Sequence, residues 1–150
     1  MKKAFIALLV GVLVVGVTVG AASAKSGKSA ATVDVCVLLP DTKSSVRWEQ
    51  FDRPSFLKAL KAAGVKASVT NALADPQKQL AQAETCINNV AKVAVITSLD
   101  TGTSIAIQKK FTAVGGKTVD YDRQIVGGTG SVYVSFDGNQ VGRIQARGVI

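Results

Sequence analysis

Val33-Asp34-Val35-Cys36-Val37-Leu38-Leu39, followed at once by Pro40-Asp41-Thr42-Lys43-Ser44-Ser45-Val46-Arg47-Trp48, decides the fold. A nearly continuous apolar run is what a strand needs when both faces of its sheet are covered by helices. The polar cluster after it then falls at the carboxyl end of that strand, where ligands of open α/β sheets bind. Downstream, Val46 to Ala63 has helical spacing, with Phe56, Leu57, Leu60 and Ala63 on one face and Gly64 as its stop. Pro54 lacks an N–H, so it predicts a kink or a fresh start after Asp52.

The same alternation continues to the last residue. Val65 to Thr70 reads as a second strand, and Asp75-Pro76 as a helix start with a capping carboxylate and proline at the first helical position. Leu80, Ala83, Ile87 and Val90 line one face of that helix, with Cys86 at its edge. Strands are predicted over Val93 to Thr97, Lys117 to Asp120 and Val132 to Ser135, and helices over Thr103 to Val114 and Asn139 to Ile150. The expected class is α/β, a three-layer, mostly parallel sheet flanked by helices. Gly127-Gly128-Thr129-Gly130 resembles part of a nucleotide loop, but its spacing is wrong and no helix follows directly, so it reads as a surface turn.

Upstream, residues 1–24 read as a signal peptide. Lys2 and Lys3 precede an apolar stretch from Ala4 to Val19, and Ala22-Ser23-Ala24 is a small-residue cleavage site. A retained membrane anchor is the alternative, since the apolar run approaches spanning length. Its glycines and the Ala-x-Ala flank favour cleavage before Lys25, and the absence of a cysteine at that site argues against a lipid anchor. Residues 25–32 are expected to be a flexible leader. The expected location is outside the cytoplasmic membrane, periplasmic or extracellular.

Without Lys2 and Lys3 the 18 basic side chains fall to 16, against 10 acidic ones. The basic residues are scattered, only Lys109-Lys110 being adjacent in the predicted lobe, and no aromatics are interleaved with them. Solvated helix faces explain that surplus better than nucleic acid does. With no histidine in the chain, Ser-His-Asp and Cys-His arrangements are excluded, and no Gly-Lys-Ser/Thr phosphate loop occurs. Two thiols rarely hold a metal alone, so no metal site is expected. Cys36 in the first strand and Cys86 in the second helix are candidates for a disulfide, because a right-handed crossover returns that helix over the first strand. Two buried free thiols are the alternative.

Two clusters carry candidate binding chemistry. Arg47 offers five fixed donors that suit vicinal hydroxyls, and the indole of Trp48 suits the apolar face of a pyranose. Arg47 as a solvated helix residue and Trp48 as a core anchor are the equally open structural readings. In the second cluster, Asp122 can accept from neighbouring hydroxyls while Arg123 keeps it ionised and donates to a further oxygen; a structural ion pair closing the strand is the alternative. Lys43 and Asp100 are secondary candidates, with Asp100 better explained as a helix cap. Asp120 and Asp122 stand close enough to suggest a glycosidase pair, but strand alternation is expected to separate them.

Taken together, Cys-Val-Leu-Leu-Pro-Asp-Thr-Lys-Ser-Ser-Val-Arg-Trp-Glu (36–49), Val-Asp-Tyr-Asp-Arg (119–123) and Tyr-Val-Ser-Phe-Asp (133–137) resemble the sugar-binding proteins of bacterial ABC importers, in particular the xylose and multiple-sugar binders. The resemblance runs from about Val33 to the last residue. It implies a type I periplasmic-binding-protein lobe in which Arg47, Asp122 and Arg123 hydrogen-bond a monosaccharide and Trp48 matches the motif. It also implies an ABC permease as membrane partner, a monomeric state, and neither cofactor nor catalysis. Such proteins have two lobes, so the resemblance implies an N-terminal lobe over residues 33–134, a crossover and the start of a second lobe over residues 135–150, and a chain truncated to about the first. Two other classes fit less well. A doubly wound nucleotide- or sugar-modifying enzyme would need a glycine loop where Pro40-Asp41-Thr42 stands, and a sugar-responsive transcription regulator would need a DNA-binding helix pair where the signal segment lies.

Overall fold

The computed structural model describes residues 32–150. The signal segment at 1–24, and the leader except for Thr32, lie outside the described residues. Five strands form one sheet: β1 (Val35–Leu39), β2 (Ala67–Asn71), β3 (Val93–Ile96), β4 (Lys117–Tyr121) and β5 (Val132–Val134), in the order β2-β1-β3-β4-β5. Every pair is parallel, and β1 is an interior strand, with Val37 opposite Val69 on one side and Val95 on the other. The helices are α1 (Arg53–Ala62), α2 (Pro76–Asn88), α3 (Thr101–Ala113) and α4 (Gly138–Val149).

Alternation along β1 explains why its sequence is apolar without a break. Cys36 and Leu38 enter a core with Ala94, Ile96, Ala83, Ile107 and Phe111, under α2 and α3. Val37 and Leu39 point the other way, into a core with Trp48, Phe56 and Leu60 under α1. Both sheet faces are covered, which gives the three-layer α/β arrangement. The Cys36 and Cys86 sulfurs are joined, with Cα atoms 6.2 Å apart, stapling β1 to α2.

Several local expectations change. The helix predicted over 46–63 is two pieces, because Pro54 sits in the first turn of α1 and a five-residue π-helical turn, Trp48–Asp52, precedes it. Leu57 is 45% exposed, leaving Phe56 and Leu60 to make the packing of α1. Val90 lies beyond the end of α2 with φ 59° and is 54% exposed, so it is not on the buried face. β1 starts at Val35 instead of Val33, although the Val33 amide still donates to the Asn89 carbonyl at 3.0 Å. β4 runs one residue further, to Tyr121.

The loop containing Gly127 to Gly130 is more than a surface turn, because it closes against two buried polar side chains. Gln108 donates to Asp120 Oδ1 at 2.7 Å and accepts from the Thr129 amide at 2.7 Å, while Asp120 Oδ2 accepts from Ile125 N–H at 2.9 Å. A Cβ on Gly128 would fall 2.1 Å from Gln108 Oε1, and one on Gly130 would fall 2.5 Å from Asp120 Oδ1. The backbone can approach those side chains only where there is no Cβ.

Candidate functional site

The carboxyl ends of β1, β3 and β4 carry the two predicted clusters to one rim. After β1, the Asp41 carboxylate folds the chain back on itself: Oδ1 accepts from the Lys43 amide at 2.8 Å and also from the Ser44 amide, and Oδ2 accepts from Ser44 Oγ at 2.6 Å. This compact turn launches the π-helical turn and sets Arg47 and Trp48 over the sheet edge. Burial alone would raise the Asp41 carboxyl pKa. The hydrogen bonds from Ser44 and Lys43, with the charge of Arg123, outweigh that and hold it below its ordinary value.

After β4, Asp122 adopts φ 66°, in the left-handed region that Asp tolerates better than most residues. Its amide still donates to the Val134 carbonyl at 2.8 Å, while its own carbonyl accepts from Tyr133 Oη at 3.2 Å and Ser135 Oγ at 3.3 Å. The turn separates two carboxylates that a regular strand, with its two-residue period, would have put on the same face. Asp120 is buried toward α3, and Asp122 reaches Arg47. They part because the strand ends between them, not through the alternation expected from sequence, and they do not form a glycosidase pair.

Arg47 joins the clusters. Its Nη1 lies 2.9 Å from Asp122 Oδ1 and its Nε 3.0 Å from Asp52 Oδ2. Burial opposes its charged form, but the hydrogen bond to Asp52 and the charges of Asp122 and Asp52 raise its pKa overall. Arg123 donates from Nη1 to the Ser98 carbonyl at 3.0 Å and from Nη2 to Ser44 Oγ at 3.2 Å. Tyr121, at the end of β4, has its phenol pKa raised by burial and by the charge of Asp52.

Trp48 takes the core-anchor place, one of the two readings its residue type left open. It is 2% exposed and belongs to the core under α1. The Arg47 guanidinium lies 4.2 Å from its ring centroid and that of Arg123 lies 5.5 Å away. Both lie within the distance at which an indole ring attracts a cation. Of the secondary candidates, Asp100 accepts from the Thr103 amide at 2.8 Å as the N-cap of α3. Lys43 lines a separate recess of about 300 Å³ with Asp41, Thr42, Leu73 and Ala74. Among the described residues, no group of three or more His, Cys, Asp or Glu side chains is placed to hold a metal.

The recess beside Arg47 has a volume of about 200 Å³ and is lined by Arg47, Tyr121, Asp122, Val134, Ser135 and Phe136. Small-molecule clefts run to roughly 300–1,000 Å³, so this one forms a single wall. Phe136, 68% exposed, has its ring centroid 5.2 Å from the Arg47 guanidinium. Sequence reasoning missed Tyr121, Ser135 and Phe136 as site residues, although each lies in a motif it had quoted. It also missed Asp52, whose partnership with Arg47 follows from the π-helical turn.

With this geometry in place, comparison with known proteins is informative. Residues 35–150 match the model of the family described as periplasmic binding protein domain. The chain is 32% identical, over its whole length, to the multiple sugar-binding periplasmic protein SbpA of Azospirillum brasilense, and spans 42% of that protein. It is 32% identical over 69% of its length to the D-xylose-binding periplasmic protein of Escherichia coli strain K12, spanning 31% of it. Among solved structures, an ABC transporter solute binding protein from Clostridium phytofermentans with bound β-D-glucose superposes with a TM-score of 0.69 at 32% identity, over 77% of this chain and 35% of that one. The chain thus spans less than half the length of these relatives, and the part it matches includes the sheet, the Arg47 turn and the Asp122-Arg123 rim: it belongs to the periplasmic binding protein domain family.

Proposed function

We propose that this chain is the sugar-recognition lobe of the substrate-binding component of an ABC-type importer, taking a monosaccharide such as D-xylose outside the cytoplasmic membrane. The observation that carries the reading is the Arg47–Asp122 pair at 2.9 Å, which joins two segments 75 positions apart at the carboxyl rim of the sheet. A guanidinium and a carboxylate already paired present donors and acceptors together at little net charge, which suits an uncharged polyol. Around that rim two guanidiniums, Arg47 and Arg123, are set against three carboxylates, Asp41, Asp52 and Asp122. Arg47, Asp122 and Arg123 are the polar contacts of this reading. Trp48 is the platform beneath the arginines.

The role is binding without catalysis, and a membrane permease is the partner to which the loaded protein would deliver its sugar. The names of the relatives support this reading, two being sugar-binding periplasmic proteins and one a solute binding protein holding β-D-glucose. A one-walled recess predicts weak, fast-exchanging binding, so NMR titration of the full chain is the suitable test. Addition of D-xylose or D-glucose should move the resonances of Arg47, Asp122 and Arg123, and Arg123→Ala should shift the titration to sugar concentrations at least about tenfold higher. Absence of any shift with neutral monosaccharides, or an unchanged titration in Arg123→Ala, would overturn the reading.

A further inference from the structure

The Ser44 hydroxyl ties the two halves of the rim a second time, beside the Arg47–Asp122 pair. A serine hydroxyl has one proton to donate and two lone pairs to accept with. Here all three are used: Oγ donates to Asp41 Oδ2 at 2.6 Å, accepts from Trp48 Nε1 at 3.1 Å, and accepts from Arg123 Nη2 at 3.2 Å. The Asp41 end is fixed, because its other oxygen is bound to the backbone of the same turn. The Trp48 end is fixed by burial. Arg123, 79 positions away, is then held between Ser44 on the β1 side and the Ser98 carbonyl at the end of β3.

We propose that Ser44, oriented by Asp41, is a positioning residue for the sugar site: it acts through Arg123 and need not touch the ligand. The proposal rests on the sugar-site reading above. Its physical content is that a carboxylate-bound hydroxyl is a stronger, more directional acceptor than a solvated one, so the guanidinium is presented in one orientation before ligand arrives. Alanine at this position leaves Arg123 with one anchor. Threonine retains the hydroxyl.

The test uses the full chain with D-xylose as probe and follows both affinity and the indole N–H resonance of Trp48, the sole tryptophan. Ser44→Ala should shift that resonance and weaken D-xylose binding at least about tenfold, the scale of one hydrogen bond to a charged group. Ser44→Thr should restore both. In the double variant Ser44→Ala/Arg123→Ala the loss should equal that of Arg123→Ala alone, since a residue acting through another is non-additive with it. Additive losses, or wild-type affinity in Ser44→Ala, would overturn the positioning role while leaving the sugar site standing. If the unaltered chain binds neither D-xylose nor D-glucose, the sugar reading itself falls, and the role at a sugar site falls with it. An unmoved indole resonance in Ser44→Ala would refute the hydroxyl hub independently. Should Ser44→Ala fail to fold, Ser44→Cys, which keeps the size but offers only a weak donor and acceptor, carries the same expectations.

Discussion

Asp122 combines two demands that few residue types meet. Its backbone must enter the left-handed region to end β4, and its side chain must pair with Arg47. Asparagine meets the first demand and not the second. Asp122→Asn should therefore keep its fold and lose sugar-induced shifts, while Asp122→Ala should be about 1 kcal/mol less stable than the Asn variant, the scale of the left-handed penalty. Urea unfolding of the two variants checks this, and equal midpoints would show that the turn carries no such constraint. The candidate residues were legible in sequence because their types are chemically distinctive and they follow apolar strands. The positive φ at Asp122 was not legible, since nothing in Tyr121-Asp122-Arg123 marks the point where a strand stops. Nor was the burial of Trp48: an indole after a strand reads equally as a ligand face or a core anchor, and only the packing of Phe56 and Leu60 decides for the core.

At the scale of elements, the staple between β1 and α2 has the clearest energetic consequence. Closing a loop of 50 positions stabilises by about 4 kcal/mol in the chain-entropy model. The paired variant Cys36→Ala/Cys86→Ala should accordingly show a large drop in urea midpoint. Treatment of the unaltered chain with a reductant strong enough to open the bond should reproduce it, and a midpoint unmoved in both would refute the staple's role. Two glycines make a second contrast. Gly128→Ala would drive a methyl into Gln108, which is buried and bonded at both ends, at a cost of about 1–3 kcal/mol. Gly142→Ala meets nothing within 4 Å in the interior of α4 and should stabilise that helix by roughly 0.5–1 kcal/mol. Thermal melts of the two variants should move in opposite directions. Element order and type were readable because β1 is uninterrupted and Asp75-Pro76 is an unambiguous helix start. The π-helical turn was hidden, because its residues also satisfy an α-helical spacing and only Pro54 hints at the break.

For the molecule as a whole, acid should act first on the loops at the carboxyl rim. Asp41 has a lowered pKa because hydrogen bonds from Ser44 and Lys43 outweigh burial, and Glu49 has one chiefly because of its hydrogen bond from Arg53. Asn71 bridges them, donating to the Asp41 carbonyl at 2.9 Å and to Glu49 Oε1 at 2.7 Å. Both carboxyls bind protons less readily folded than unfolded, so their contribution is complete above about pH 5 and is lost as pH falls through the unfolded and then the lower native values. The urea midpoint should hold from pH 7 to 5 and decline below 4, and a midpoint independent of pH across that range would contradict the shifts. The β5 edge of the sheet, which adjoins that rim, has another character. Val132, Val134, Phe136, Val141 and Ile144 are all exposed, and α4 has no buried residue.

The interior place of β1 also has a consequence in time. Its two neighbours are β2 and β3, so the earliest of the described strands to leave the ribosome is the one whose hydrogen bonding must wait longest, until Ile96 has emerged. Nascent chains halted before Val93 would carry β1 with one bare edge, in need of a holdase or open to digestion, whereas chains released beyond Tyr121 would contain four of the five strands.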